Sequence, residues 1–94
     1  MKKSELIEKL GEKFPHIAKN DVEKIVNSML DRMIGALRDN DRIEIRGFGS
    51  LFVKFRQGRE ARNPKTGKRL TIQAKRVPFF KAGKELKELV NKNA

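Results

Sequence analysis

The chain has 94 residues, no cysteine, and 23 Lys plus Arg against 12 Asp plus Glu, a net charge of +11 at pH 7. That length allows one domain at most, and the missing cysteines exclude disulfides, thiol catalysis and thiolate metal sites. A charge this large on so small a protein points to a polyanion as partner, either nucleic acid or an anionic membrane surface.

The first predicted element is a helix over residues 3–14, where Leu6, Ile7, Leu10 and Phe14 fall on one face of a 3.6-residue period and Pro15 ends it. A second helix is predicted from Asn20-Asp21-Val22-Glu23, an N-cap pattern with Glu three residues on. Its apolar stripe runs through Val22, Ile25, Val26, Met29, Leu30, Met33, Ile34 and Leu37, and Asp39-Asn40-Asp41 makes the turn that follows. The period then changes to two. Arg42-Ile43-Glu44-Ile45-Arg46 alternates as a half-buried strand does, Gly47-Phe48-Gly49 is a tight connection, and Leu51, Phe52, Val53 and Phe55 carry a second strand.

From Arg56 to Arg69 apolar residues almost vanish, and Asn63-Pro64-Lys65-Thr66-Gly67 is a strong turn signal. Leu70-Thr71-Ile72 resumes strand character, Val77-Pro78-Phe79-Phe80 returns to apolar content, and Leu86, Leu89 and Val90 mark a short final helix over 83–92 that lacks a good capping residue. The order is two helices, three strands, one helix, an α+β fold. The stretch 54–76, read as a hairpin folding back at Pro64, extends roughly 30 Å at about ten residues per limb. An isolated two-stranded ribbon is marginal in water, so a ligand is expected to order it.

Charge is segregated along the chain. Residues 1–31 carry six basic and six acidic side chains, and residues 32–94 carry the other 17 basic and six acidic ones. Within 54–76 stand Lys54, Arg56, Arg59, Arg62, Lys65, Lys68, Arg69, Lys75 and Arg76, against the single acid Glu60. The pattern is a neutral helical base (about 1–40) joined to a sheet with a cationic arm (about 41–81, the arm 54–76) and a terminal helix (about 82–92). Without the arm, about 70 residues remain to bury the eight apolar positions of the second helix and Phe48, Phe52, Phe79 and Phe80. A body of that size buries little surface, which argues for an intertwined dimer.

The spaced residues Gly47-Phe48-Gly49-Ser50-Leu51, then Arg56, Arg59, Arg62 and Asn63-Pro64-Lys65-Thr66-Gly67, resemble the signature of the HU and integration host factor family of bacterial nucleoid proteins, and the similarity runs from Lys3 to about Val90. The resemblance implies a symmetric or pseudo-symmetric dimer with two β-arms curling around DNA, an N- and C-terminal α flank to a three-stranded antiparallel sheet, and Pro64 inserted between base pairs from the minor groove, a wedge use for which relatives are a standing example. It also implies contacts to phosphates and groove edges from Arg59, Arg62, Lys65, Lys68 and Arg69, with Lys54 and Arg56 at the root of the arm; Asn63 either hydrogen-bonds bases or holds the turn. Arginine suits a narrow, strongly negative groove because its guanidinium is weakly hydrated and rich in donors.

The segment Arg42-Ile43-Glu44-Ile45-Arg46-Gly47-Phe48-Gly49 closely resembles the β-subunit branch of integration host factor, where the arginine matching Arg46 reaches the minor groove and the glutamate matching Glu44 holds it. HU proteins usually have uncharged residues at these two places. This implies some sequence preference in the bound DNA. Lys3, Lys75, Arg76, Lys81 and Lys84 are expected at the flanks of a wrapped duplex, helped by free N–H groups at the helix starts near Lys3 and Gly83. Two departures from relatives stand out: Glu60-Ala61 in the arm, where Thr-Gly or Pro-Gly is common, and Ala82, where proline or serine is common.

No constellation for bond chemistry is present. His16 is the only histidine, the carboxylates are scattered over helix faces, and six Phe without Tyr or Trp read as core. The expectation is a non-enzymatic architectural DNA-bending protein with no cofactor or metal, serving nucleoid organisation and complexes of transcription, replication or recombination. Its partners are double-stranded DNA and itself or a related second subunit. The longest hydrophobic run, Leu51 to Val53, is three residues, against about 20 for a membrane span. No signal-peptide pattern follows Met1-Lys2-Lys3-Ser4-Glu5, so a cytoplasmic, nucleoid location is expected. The alternatives are HU-like binding without sequence preference and an RNA-binding ribosome-associated factor. The lack of exposed aromatics speaks against the latter.

Overall fold

A computed structural model of the chain describes residues 1–92. Helices α1 (Lys3–Lys13) and α2 (Lys19–Arg38) come first, then strands β1 (Ile43–Ile45), β2 (Gly49–Arg56), β3 (Arg59–Arg62), β4 (Arg69–Ile72) and β5 (Lys75–Ala82), and helix α3 (Lys84–Asn91). Residues Met1–Gly35 and Ala36–Ala94 form two compact units, with α2 running through the boundary.

In the first unit the apolar periodicity brings Ile7, Val22 and Val26 together as the buried core, flanked by Leu10 and Ile17. Helix α2 starts one residue before the predicted cap. The carbonyl of Ala18 accepts the N–H groups of Asp21 (2.9 Å) and Val22 (3.1 Å), so Asn20 lies inside the first turn and does not cap it.

The end of α2 follows from the predicted Asp39-Asn40-Asp41 turn. Asn40 takes φ +64°, the left-handed conformation that asparagine tolerates. Its N–H reaches Leu37 O (3.1 Å) while the Asp41 N–H reaches Ala36 O (2.8 Å), the paired bonds of a Schellman stop.

Strands β1, β2 and β5 make an antiparallel sheet in the order β1-β2-β5, with Ile43 opposite Leu51 and the long β2–β5 ladder running from Gly49–Ala82 to Arg56–Lys75. Gln57-Gly58 and Gln73-Ala74 interrupt the ladder. Beyond them β3 and β4 pair separately, from Arg59–Ile72 to Arg62–Arg69. The long hairpin expected over 54–76 is therefore two ribbons in series, which turns the three predicted strands into five. Gly58 sits at the break, where a Cβ would lie 2.8 Å from Ile72 O; the two limbs approach too closely there for a side chain. The sharp β1–β2 connection needs Gly47, at φ +84°. Gly49 has to be bare because a Cβ would stand 2.4 Å from Lys81 O and against the Phe80 ring.

Alternation along the strands gives the sheet two unlike faces. Ile43, Ile45, Leu51, Val53, Phe55, Pro78 and Phe80 share one, and Phe48 packs on Phe80 with ring centroids 5.1 Å apart. The other face carries the charge.

Candidate nucleic-acid interface

The basic face is set by register. Ser50, Phe52, Lys54 and Arg56 on β2 lie opposite Lys81, Phe79, Val77 and Lys75 on β5, and Glu44 on β1 lies opposite Ser50. Arg42, two residues before Glu44, continues the same face, and its Nε is 3.0 Å from Glu44 Oε1. Phe52 and Phe79 depart from the expectation that every phenylalanine is core. They form a cross-strand pair on the charged face, 6.3 Å apart and inclined by 17°. Arg42 lies 5.1 Å from the Phe52 centroid, Lys54 5.7 Å from Phe52 and 4.8 Å from Phe79, and Arg56 5.2 Å from Phe79. The spacing Phe52-x-Lys54-x-Arg56 held that signal in the sequence, because residues two apart share a face.

The ribbon β3–β4 adds Arg59, Arg62 and Arg69, all exposed; its register puts Arg62 and Arg69 on one face and Arg59 on the other. Between the two ribbons lies a recess of about 560 Å³ lined by Arg56, Gln57, Arg59, Ile72, Gln73, Lys75 and Val77. Glu60 sits 4.0 Å from Arg69 across the ribbon, both side chains exposed. This pair offsets part of the arm's charge.

The tip is built by local hydrogen bonds. Asn63 N–H donates to Lys68 O (2.9 Å), Gly67 N–H to Asn63 O (2.8 Å) with Gly67 at φ +69°, and Lys65 N–H to the Asn63 side-chain oxygen (2.9 Å). Asn63 is thus engaged in the turn. Pro64 is exposed beside it, at the second position of the turn, and its ring takes part in none of these bonds.

A second basic recess, about 460 Å³, is lined by Arg42, Ser50, Lys81, Lys84, Lys87 and Glu88 together with Gly49, Ala82 and Gly83 at the start of α3. Gly83 N–H is bonded to Phe48 O (2.9 Å), and no side chain caps the helix. The first-turn N–H groups beyond it have no carbonyl partner within the helix.

Arg76 points to the opposite face from Lys75. Its guanidinium donates to Arg38 O (3.1 Å), Leu37 O (3.1 Å) and Asn40 Oδ1 (2.9 Å). It closes the C-terminal end of α2, where a cation also suits the helix dipole, and is engaged in the fold. Arg46 and Gly47 occupy the β1–β2 turn, with Arg46 exposed. Among the described residues the carboxylate of Glu44 pairs with Arg42. Lys65 and Lys68 stand exposed at the tip, and Lys3 opens α1 in the first unit. Among the described residues no cluster of three metal-ligating side chains occurs and no helix is long and apolar enough to cross a membrane.

A helical segment joined to a sheet with one cationic face, extended by a basic ribbon with a proline tip, defines a small nucleic-acid-binding module. The family model described as Bacterial DNA-binding protein matches residues 1–91, and the chain belongs to that family. Among solved structures, it is similar to the protein in an HU–DNA cocrystal structure from Anabaena, with 37% identity over 97% of this chain and 98% of that one and a TM-score of 0.84. HU from Thermotoga maritima is 32% identical over 97% of this chain and all of that one, with a TM-score of 0.67.

Proposed function

We propose that the protein is an architectural DNA-binding protein that grips the minor groove with its two-stranded arm, bends the duplex by wedging Pro64 into it, and organises the nucleoid. The observation that carries this reading is the set of cations along one sheet face together with the exposed arginines on the ribbon that ends in exposed Pro64. Charge on this scale gives sequence-independent, salt-dependent attraction to phosphates. The similar Anabaena HU was crystallised with DNA. The contacts assigned to DNA are Arg59, Arg62, Lys65, Lys68 and Arg69 on the arm, Lys54, Arg56 and Lys75 on the sheet, and Lys84 and Lys3 at the flanks. Asn63 supports them by holding the tip. Energy transfer between dyes on the two ends of a short duplex tests the bending: it should rise on adding the protein, and an unchanged signal at saturation contradicts the proposal.

The functional unit is a homodimer or a heterodimer with a related chain. The first unit leaves an apolar recess of about 350 Å³ between Leu10, Phe14, Ile17, Val22, Ile25, Val26 and Met29. Ile25 is 52% exposed, Met29 60%, Leu89 65% and Val90 72%. Patches of this kind mark an interface. Thermal midpoints should accordingly rise with protein concentration; a constant midpoint with a monomeric mass rules the dimer out.

Arg46 is the residue that would give sequence preference. Arg46→Ala should narrow the affinity gap between preferred and random duplexes by about 1–3 kcal/mol, the size of one specific contact. An equal fall in both affinities makes Arg46 a phosphate contact. The Arg42–Glu44 pairing favours this second, shape-driven reading, since it leaves Glu44 occupied by a residue other than Arg46.

A further inference from the structure

We infer that Phe52 and Phe79 form an aromatic platform that holds Arg42, Lys54 and Arg56 in position to receive phosphates. The inference rests on the reading that the basic sheet face meets the duplex. Two rings directly opposite each other on neighbouring strands occupy the charged face, while the apolar face is already supplied by Leu51, Val53, Pro78 and Phe80. The cations and rings alternate in space as Arg42, Phe52, Lys54, Phe79, Arg56, each cation within 5.7 Å of a ring centroid. Arg42 also pairs with Glu44, at 3.0 Å.

Long Lys and Arg side chains lose rotamer freedom when they bind, and groups ordered beforehand lose less. A ring face supplies that order without consuming donors. It attracts the cation through its quadrupole, and a guanidinium stacked by its plane keeps its edge N–H groups free for a phosphate. The stems of Lys54 and Arg56 in turn cover the rings. Phe52 and Phe79 are therefore positioning residues, acting on DNA through the three cations.

The test uses the purified full-length chain and a mixed-sequence duplex at one low salt concentration. Phe52→Leu and Phe79→Leu should each weaken binding by about threefold to tenfold, with the thermal midpoint close to the parent's, and Phe79→Tyr, which keeps the ring, should restore affinity. In a chain already carrying Lys54→Gln and Arg56→Gln, Phe79→Leu should cost little more, because nothing remains for the ring to hold. Parental binding by Phe79→Leu overturns the platform, as does an equal loss in both backgrounds or a loss that tyrosine does not restore. If Lys54→Gln and Arg56→Gln themselves leave binding unchanged, the face does not meet the duplex, and the functional reading of that face fails together with the platform.

Discussion

DNA affinity is expected to fall by about three to five decades between 50 and 200 mM salt, the loss that follows when six to ten phosphates are neutralised and their counterions released. The structure supplies the cations. Lys54, Arg56, Lys75 and Lys81 share the sheet face with Arg42, and the ribbon and its tip add Arg59, Arg62, Lys65 and Lys68, all exposed. It also subtracts some. Arg76 is bonded to the end of α2, Arg42 pairs with Glu44, and Arg69 faces Glu60. Even with those removed, one copy presents enough free cations to reach the assumed phosphate count, and a dimer doubles the supply. Binding measured across the salt range by fluorescence anisotropy checks this. A nearly flat titration would remove the electrostatic account and leave the +11 charge without a role.

Pro64→Ala is expected to abolish most of the bend while much of the affinity survives. Separating two stacked base pairs costs on the order of a few kcal/mol, and a rigid apolar ring without an N–H can stand in for the lost stacking neighbour. Alanine is smaller and brings an N–H that must stay hydrated or find a partner. The turn itself should persist. It is held by Asn63 N–H on Lys68 O, Gly67 N–H on Asn63 O and Lys65 N–H on the Asn63 side chain, none of which needs the proline ring. The phosphate contacts of Arg59, Arg62 and Lys65 remain too, although straighter DNA would reach fewer flanking residues. The measurement is the end-to-end distance of a dye-labelled duplex at saturating protein, with circular dichroism of the free variant to exclude gross damage. A distance equal to that with the parent protein would mean that Pro64 only shapes the turn.

Parts of the site are legible in the amino-acid sequence because they are local. The tip turn depends on residues two to five apart, so Asn63-Pro64-Lys65-Thr66-Gly67 announces it. The stop of α2 is similarly written in Asp39-Asn40-Asp41. The start of α2 is less legible: Asn20 and Asp21 look like a cap, yet the helix begins at Lys19, with the carbonyl of Ala18 taking the first N–H groups.

Composition and periodicity alone gave the succession of two helices, a sheet region and a last helix, the segregation of charge and the excess of apolar positions, but not the break that makes five strands of three. Alternation in a strand tells which residues share a face, and only pairing tells what lies opposite them. The register of β2 against β5, fixed by pairs 19 to 33 residues apart in the chain, therefore decided that Phe52 meets Phe79 among the cations while Phe80 covers Gly49 on the other side. Tertiary structure likewise separated two adjacent basic residues of one strand. Lys75 remains on the charged face, and Arg76, one residue on and so pointing the other way, finds the last carbonyls of α2, those of Leu37 and Arg38. Charge is additive along a sequence, but the direction of a side chain depends on the strand it sits in and the elements that strand is packed against.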